Sequence, residues 1–222
     1  RAADELGAEL IEITAKPSDT DADREERLRL LAEEGYSPII GVGFTYAGSL
    51  AKVAPLYPDT WFGIVDDGTV VAPNVTGILF TEEQGSFLVG VAAALRSETG
   101  RVGFVGAVQI PLLQKFEAGF TAGATTARPG IDVQVVYLSQ PPDYAGFSDP
   151  AKGKEAALGM FDAGADVVFA AAGDSGIGVI AAAKESGNWA IGVDADQYQT
   201  SDPAVRDAVL TSMLKRADVG TH

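Results

Sequence analysis

Short apolar runs alternate along the chain with longer stretches in which apolar residues recur among charged ones. The runs Ile39-Ile40-Gly41-Val42 and Val167-Val168-Phe169-Ala170-Ala171 are continuous, as expected of strands covered on both faces. Strands are predicted at 10–14, 38–44, 61–66, 75–80, 101–106, 133–138, 167–171 and 190–194. The segments between them read as helices, and that rhythm is the mark of a parallel α/β architecture. Residues 23–34 carry Leu28, Leu30 and Leu31 among charges, which predicts an amphipathic surface helix. Thr81-Glu82-Glu83-Gln84 has the spacing of a capping box and precedes the apolar stripe Phe87, Val91, Ala94 and Leu95,. Pro111 suits a first helical turn leading into Leu112, Leu113, Phe116 and Phe120,. Further helices are expected at 154–163 and 177–186, the second stopped by Gly187, and 208–214 is a further apolar segment.

The polar turn Ser97-Glu98-Thr99-Gly100 divides this rhythm. Residues 1–98 are expected to form one αβ lobe and 99–194 a second, with 195–222 crossing a hinge and starting a returning segment. The helix-like stretch 1–7 runs directly into a strand-like one, whereas a parallel sheet normally has a strand before that helix,. A strand ahead of Arg1 and cover for 208–214 are therefore expected.

Composition narrows the chemistry. The chain has 222 residues, 46% of them hydrophobic, which is globular rather than disordered,. No apolar run approaches the roughly 20 residues that span a bilayer. Against 16 basic residues stand 31 acidic ones, a formal charge of −15 that repels nucleic acid,. The acidity serves solubility, and a high-salt host is a sharper reading of it. Cysteine is absent and the one histidine is His222. Thiolate chemistry, disulfides, the histidine-based triad and imidazole metal ligation lose their usual components.

Ligands of open parallel sheets bind beyond the carboxyl ends of the strands. Those ends read Gly43-Phe44-Thr45-Tyr46, Asp66-Asp67, Gly106-Ala107-Val108-Gln109, Gly173-Asp174-Ser175-Gly176 and Asp194-Ala195-Asp196-Gln197. Aromatics and acceptors at such a rim suit a neutral polar ligand with a flat ring and hydroxyls. Simpler roles compete at each place. Gly173-Asp174-Ser175-Gly176 is similar to a serine nucleophile signature, but with no histidine to activate Ser175 it reads better as a strand-to-helix turn. Asp194 and Asp196 alone are a weak divalent-metal signal, and bonds to hydroxyls or turn amides fit them better. Phe44 and Phe169 suit either ring stacking or the core, and a surface position is the default for Lys215.

Taken in order, several stretches resemble the basic membrane protein (BMP) family of ABC-transporter substrate-binding lipoproteins, which includes purine nucleoside receptors. They include Gly41-Val42-Gly43-Phe44, Tyr57-Pro58-Asp59-Thr60-Trp61-Phe62, Asn74-Val75, residues 83–95, Gly103-Phe104-Val105-Gly106 and Phe116-Glu117-Ala118-Gly119-Phe120. Gly164-Ala165-Asp166-Val167-Val168-Phe169, Ile191-Gly192-Val193-Asp194-Ala195-Asp196-Gln197 and Thr211-Ser212-Met213-Leu214-Lys215 continue the match over nearly the whole chain. Gly106-Ala107 stands where that family usually has Gly-Gly, and its opening strand with an acidic, Asn- and Phe-containing loop is absent before Arg1.

The resemblance implies a type I periplasmic-binding-protein fold, two Rossmann-like lobes with parallel sheets that close on a ligand around a hinge. It implies a non-enzymatic extracytoplasmic receptor, lipid-anchored through a removed N-terminal segment, that delivers a purine nucleoside to an ABC permease. Asp194 and Lys215 would hold sugar hydroxyls with help from Asp66. Phe44 and Phe169 are the ring candidates, and Gly173 and Asp174 would shape the wall. No cofactor, metal or nucleic acid enters this expectation. The alternatives are a sugar-type solute receptor, the ligand-sensing domain of a regulator, and a carboxylate-based nucleoside hydrolase needing a calcium-binding aspartate cluster.

Overall fold

A computed structural model of the chain describes residues 7–16 and 19–221. It divides into two compact units, one made of residues 1–80 with 216–222 and the other of Thr81–Lys215.

The helix-like stretch expected at 1–7 lies, but for Gly7, outside the described residues. In the first unit helix α1 (Asp21–Glu33) is fixed at its start by a capping box, in which Thr20 Oγ1 accepts from Asp23 N and Asp23 Oδ2 accepts from Thr20 N at 2.7 Å,. Three parallel strands follow in spatial order, β1 (Ile39–Val42), β2 (Phe62–Val65) and β3 (Val75–Ile78). Their register pairs Ile39 with Phe62 and Phe62 with Val75. A short helix α2 (Ala47–Val53), not foreseen from the sequence, buries Leu50 and Val53 against Leu28, Phe62 and Ile64. Its Gly48 and few apolar positions gave too little periodicity to read,.

The strand predicted at 10–14 does not form, for residues 8–16 carry no regular secondary structure and Leu10 is 73% exposed. Alternation supplies a strand's composition, but a strand exists only where a neighbour completes its ladder.

Asn74 fastens the loop ahead of β3. Its buried Nδ2 donates to the carbonyls of Ala54, Tyr57 and Thr60 at 3.0, 2.9 and 2.9 Å. Asn74→Ala strands three acceptors, and unfolding measured in urea should show a loss of about 2–3 kcal/mol. Asn74→Asp should do at least as much harm, since a carboxylate cannot donate.

The second unit holds five parallel strands in the order β5-β4-β6-β7-β8. These are β4 (Arg101–Val108), β5 (Asp132–Ser139), β6 (Val167–Ala171), β7 (Trp189–Asp194) and β8 (Val209–Leu214). Helices α3 (Glu82–Arg96) and α4 (Pro111–Ala127) cover one face, where Val89, Phe116 and Phe120 meet Phe104, Phe169, Ile191 and Met213. Helices α5 (Pro150–Asp162) and α6 (Ser175–Ser186) cover the other, where Ala157, Met160, Val179 and Ile180 meet Val105, Val168 and Ala190. Burial on both faces is what makes β4 and β6 continuous apolar runs. None of the helices among the described residues is long and apolar enough to cross a membrane.

Two expectations are corrected here. Helix α3, expected to close the first lobe, belongs to the second unit, because it lies so close to α4 that a Cβ on Gly90 would stand 2.1 Å from Phe120 O. Backbone-to-backbone packing of that kind outweighs the polar turn 97–100 as a boundary. Thr81 does precede α3, yet its side chain makes no capping bond. At φ −94°, ψ 67° it departs from the extended backbone that aims an N-cap hydroxyl at the helix amides,.

Candidate functional site

The carboxyl ends of the second unit's strands are built from three interlocked pieces. Past β6 the chain turns at Gly173, whose φ of 56° favours glycine,. A Cβ there would lie 3.0 Å from Phe147 O and 3.3 Å from the Phe147 ring. Asp174 then starts α6 with its side chain exposed and engaged in no capping bond. Ser175 turns inward: its Oγ donates to Gly146 O at 2.7 Å and accepts from Asp149 N at 2.8 Å. The serine of the Gly-Asp-Ser-Gly turn therefore ties the 145–149 loop to the sheet, which accounts for it without nucleophilic chemistry.

That stitching presents Phe147, half-buried, beside Gly173. The sequence reading missed this aromatic. Its signal was Asp149-Pro150, a helix start that places the preceding residues at a strand end,. Phe169, by contrast, lies in the middle of β6 at 0% exposure. Its ring centroid is 5.4 Å from that of Phe120 and 5.7 Å from that of Phe104. The expected stacking role is thus replaced by a core one, since a ring enclosed by its own sheet and helix presents no face to a ligand.

The third piece joins β7 and β8. Asp194 ends β7 with φ 65°, its side chain exposed, and its carbonyl accepts from Lys215 N at 2.9 Å. Asp196 Oδ1 accepts from Tyr198 N at 3.1 Å and so caps the short helix α7 (Gln197–Thr200). Gln197 ties both strands together, its Oε1 accepting from Val193 N at 3.2 Å and its N donating to Ser212 Oγ at 3.0 Å. The Lys215 side chain is only 8% exposed, with Nζ 3.4 Å from Glu82 Oε1 and 5.4 Å from the Phe116 ring centroid. Among the described residues no three His, Cys, Asp or Glu side chains gather as a metal site would require.

In the first unit Phe44 opens a 3-10 turn (Phe44–Tyr46) just past β1, half-buried. Asp66 follows β2 at φ 68°, its N donating to Ile78 O at 2.9 Å. Both units therefore end a strand on an aspartate in left-handed backbone, a conformation that concentrates at functional places. Of the residues singled out from sequence, the second unit brings Gly173 with Asp174 and Asp194 with Lys215, and the first brings Phe44 and Asp66 to the ends of paired strands. An exposed carboxylate can accept hydroxyl hydrogens, a lysine can donate, and a half-buried phenyl ring can cover a flat heterocycle.

The model of the Bmp family, described as ABC transporter substrate-binding protein PnrA-like, matches residues 1–222. A CD4+ T-cell-stimulating antigen of Listeria monocytogenes is 36% identical, covering 92% of this chain and 59% of its own length. The ABC transporter nucleoside-binding protein BmpA of Lactococcus lactis is 35% identical, covering 85% of the chain and 55% of that protein. The chain thus spans less than two thirds of the length of these curated relatives. A solute-binding protein of an ABC transporter system from Aeropyrum pernix superposes with a TM-score of 0.82 at 30% identity, over 99% of this chain and 61% of that one. The α/β fold with parallel sheets is that of the type I periplasmic solute-binding proteins. With a family model matching from the first residue to the last, the chain belongs to the Bmp family of PnrA-like ABC transporter substrate-binding proteins.

Proposed function

We propose that the protein carrying this chain is an extracytoplasmic receptor of an ABC importer that binds a purine nucleoside and passes it unchanged to a membrane permease. The observation that carries this reading is the pair Asp194 and Lys215, adjoining at neighbouring strand ends through a 2.9 Å backbone bond, in the same unit as Phe147. Asp194 accepts from ribose hydroxyls, Lys215 donates to them, and Phe147 takes the place of Phe169 as the ring that covers the base. Gly173 and Asp174 form the wall next to Phe147, while Phe44 and Asp66 stand past strand ends of the first unit. The family and the Lactococcus relative's name support a nucleoside over other solutes. Lobe closure on the ligand, retention at the outer face by a lipid anchor, and recognition of the closed form by the permease complete the proposal.

A thermal-shift screen of nucleosides and monosaccharides on the full-length protein tests it. At a concentration 100-fold above Kd a ligand adds about 2.7 kcal/mol, so inosine, guanosine or adenosine should raise the melting temperature by roughly 5–10 °C. Stabilisation by free sugars alone, or free base appearing on long incubation, overturns the reading. Phe147→Ala should weaken nucleoside binding by about tenfold or more, the contribution of one base–aromatic stack.

A further inference from the structure

Glu82 is the first residue of α3, four residues past the end of β3. Its carboxylate is 1% exposed, yet it faces two lysines. Oε1 lies 3.4 Å from Lys215 Nζ, and Oε2 lies 3.3 Å from Lys115 Nζ. Burying a carboxylate is costly unless charge and hydrogen bonds compensate it. Here the two ammonium groups and the amide dipoles at the start of α3 supply that compensation. The two lysines differ in kind. Lys115 is 46% exposed and meets the carboxylate from the solvent side, whereas Lys215 is 8% exposed and follows β8, its N bonded to the carbonyl of Asp194 at the end of β7.

We infer that Glu82 is the positioning residue for the Lys215 ammonium, holding it where it meets the hydroxyls of a bound ligand without touching the ligand itself. This rests on the nucleoside reading above and names the part of the ligand, its sugar hydroxyls, on which Glu82 acts. An ammonium has three donors. A carboxylate at 3.4 Å, longer than the 2.7–2.9 Å of a tight charge-assisted bond, engages one of them and restrains the group,. The Phe116 ring beneath Lys215 narrows its position from another side,. Fold stability alone gives no reason for the arrangement, because apolar residues of equal volume commonly serve a buried ion pair's structural role as well or better. A buried charge set next to a strand-end lysine, in contrast, fixes where that lysine points.

The test uses the full-length protein and titration calorimetry with inosine and with 2′,3′-dideoxyinosine, which lacks the two ribose hydroxyls. Glu82→Gln should weaken inosine binding by about tenfold or more and leave the dideoxy compound within roughly twofold. The double variant E82Q/K215M should bind inosine no worse than Lys215→Met alone, as expected of residues acting as a unit. Lys115→Met should change neither ligand by more than a fewfold. Equal losses for the two compounds, or additive losses in the double variant, overturn the inference. Should E82Q not fold, Glu82→Asp, which keeps the charge one methylene short, should weaken inosine selectively and by less. Nitrogen-15 spectra of the lysine side chains decide the matter without any ligand. The Lys215 ammonium should give a signal protected from exchange in the unsubstituted protein and lose it when Glu82 is changed. A protein that binds no nucleoside but shows that signature sinks the proposed function and keeps the Glu82–Lys215 pairing. One that binds inosine while the signature survives in the variant sinks the pairing.

Discussion

Replacing Phe169 by alanine should destabilise the second unit by about 3–5 kcal/mol, the usual cost of removing a large ring from a packed core. Phe169 is fully buried at the centre of β6, paired with Phe104 on β4 and Ile191 on β7, and its ring meets those of Phe104 and Phe120. The strands on both sides are held by their own ladders and cannot collapse into the space the ring leaves. Urea unfolding of Phe169→Ala against Phe169→Leu measures the effect, and leucine, which fills much of the volume, should lose less than half as much. Were Phe169 instead the ligand's stacking ring, the alanine variant would keep its stability and lose binding. Phe147→Ala is the mirror case, with binding lost and the unfolding midpoint nearly unchanged.

Gly178→Ala should be the most damaging single methyl group that can be added to this protein's α6. The new Cβ would stand 1.8 Å from Pro150 O and 2.8 Å from Lys154 N. Both are backbone atoms of α5, so no side chain can swing aside and the helices must part. Overpacking of this kind costs about 3 kcal/mol or more, outweighing the roughly 1 kcal/mol that alanine gains over glycine within a helix. Gly159→Ala is the control in the facing helix, for nothing lies within 4 Å of its added carbon. That substitution should raise the melting temperature by about 2–4 °C while Gly178→Ala lowers it by roughly 6 °C or more.

The rhythm of strands and helices was legible because burial on both faces writes continuous apolar runs. Val167–Ala171 was read to the residue, and Arg101–Val108 and Trp189–Asp194 within two residues at either end. What failed depended on neighbours that a linear reading cannot supply. Residues 10–14 have a strand's alternation but make no ladder. Thr81 has the right chemistry for a cap and the wrong backbone angles. Phe169 and Phe147 are the same residue type, and only the third dimension sorts the one enclosed by Phe104 and Phe120 from the one beside Gly173. Asp194 and Lys215 were singled out by their motifs. Glu82 was not, since a glutamate in a helix's first turn reads as an ordinary polar residue until its 1% exposure is known.

The lock between β7 and β8 has a meaning for anyone who would redesign this chain. A Cβ on Gly192 would stand 2.5 Å from Gln197 Oε1 and 2.7 Å from Ser212 Oγ, so that position tolerates nothing larger than hydrogen while the lock stands. Two residues on, Asp194 points outward, and Ala195 beside it is equally exposed. A library spanning this segment would show a cliff in tolerance between 192 and 194, with framework on one side and writable surface on the other. Under the proposed function, new ligand preferences would be typed into 194–195 and 173–174, provided the blank at 192 and the glutamine that reads it are left alone.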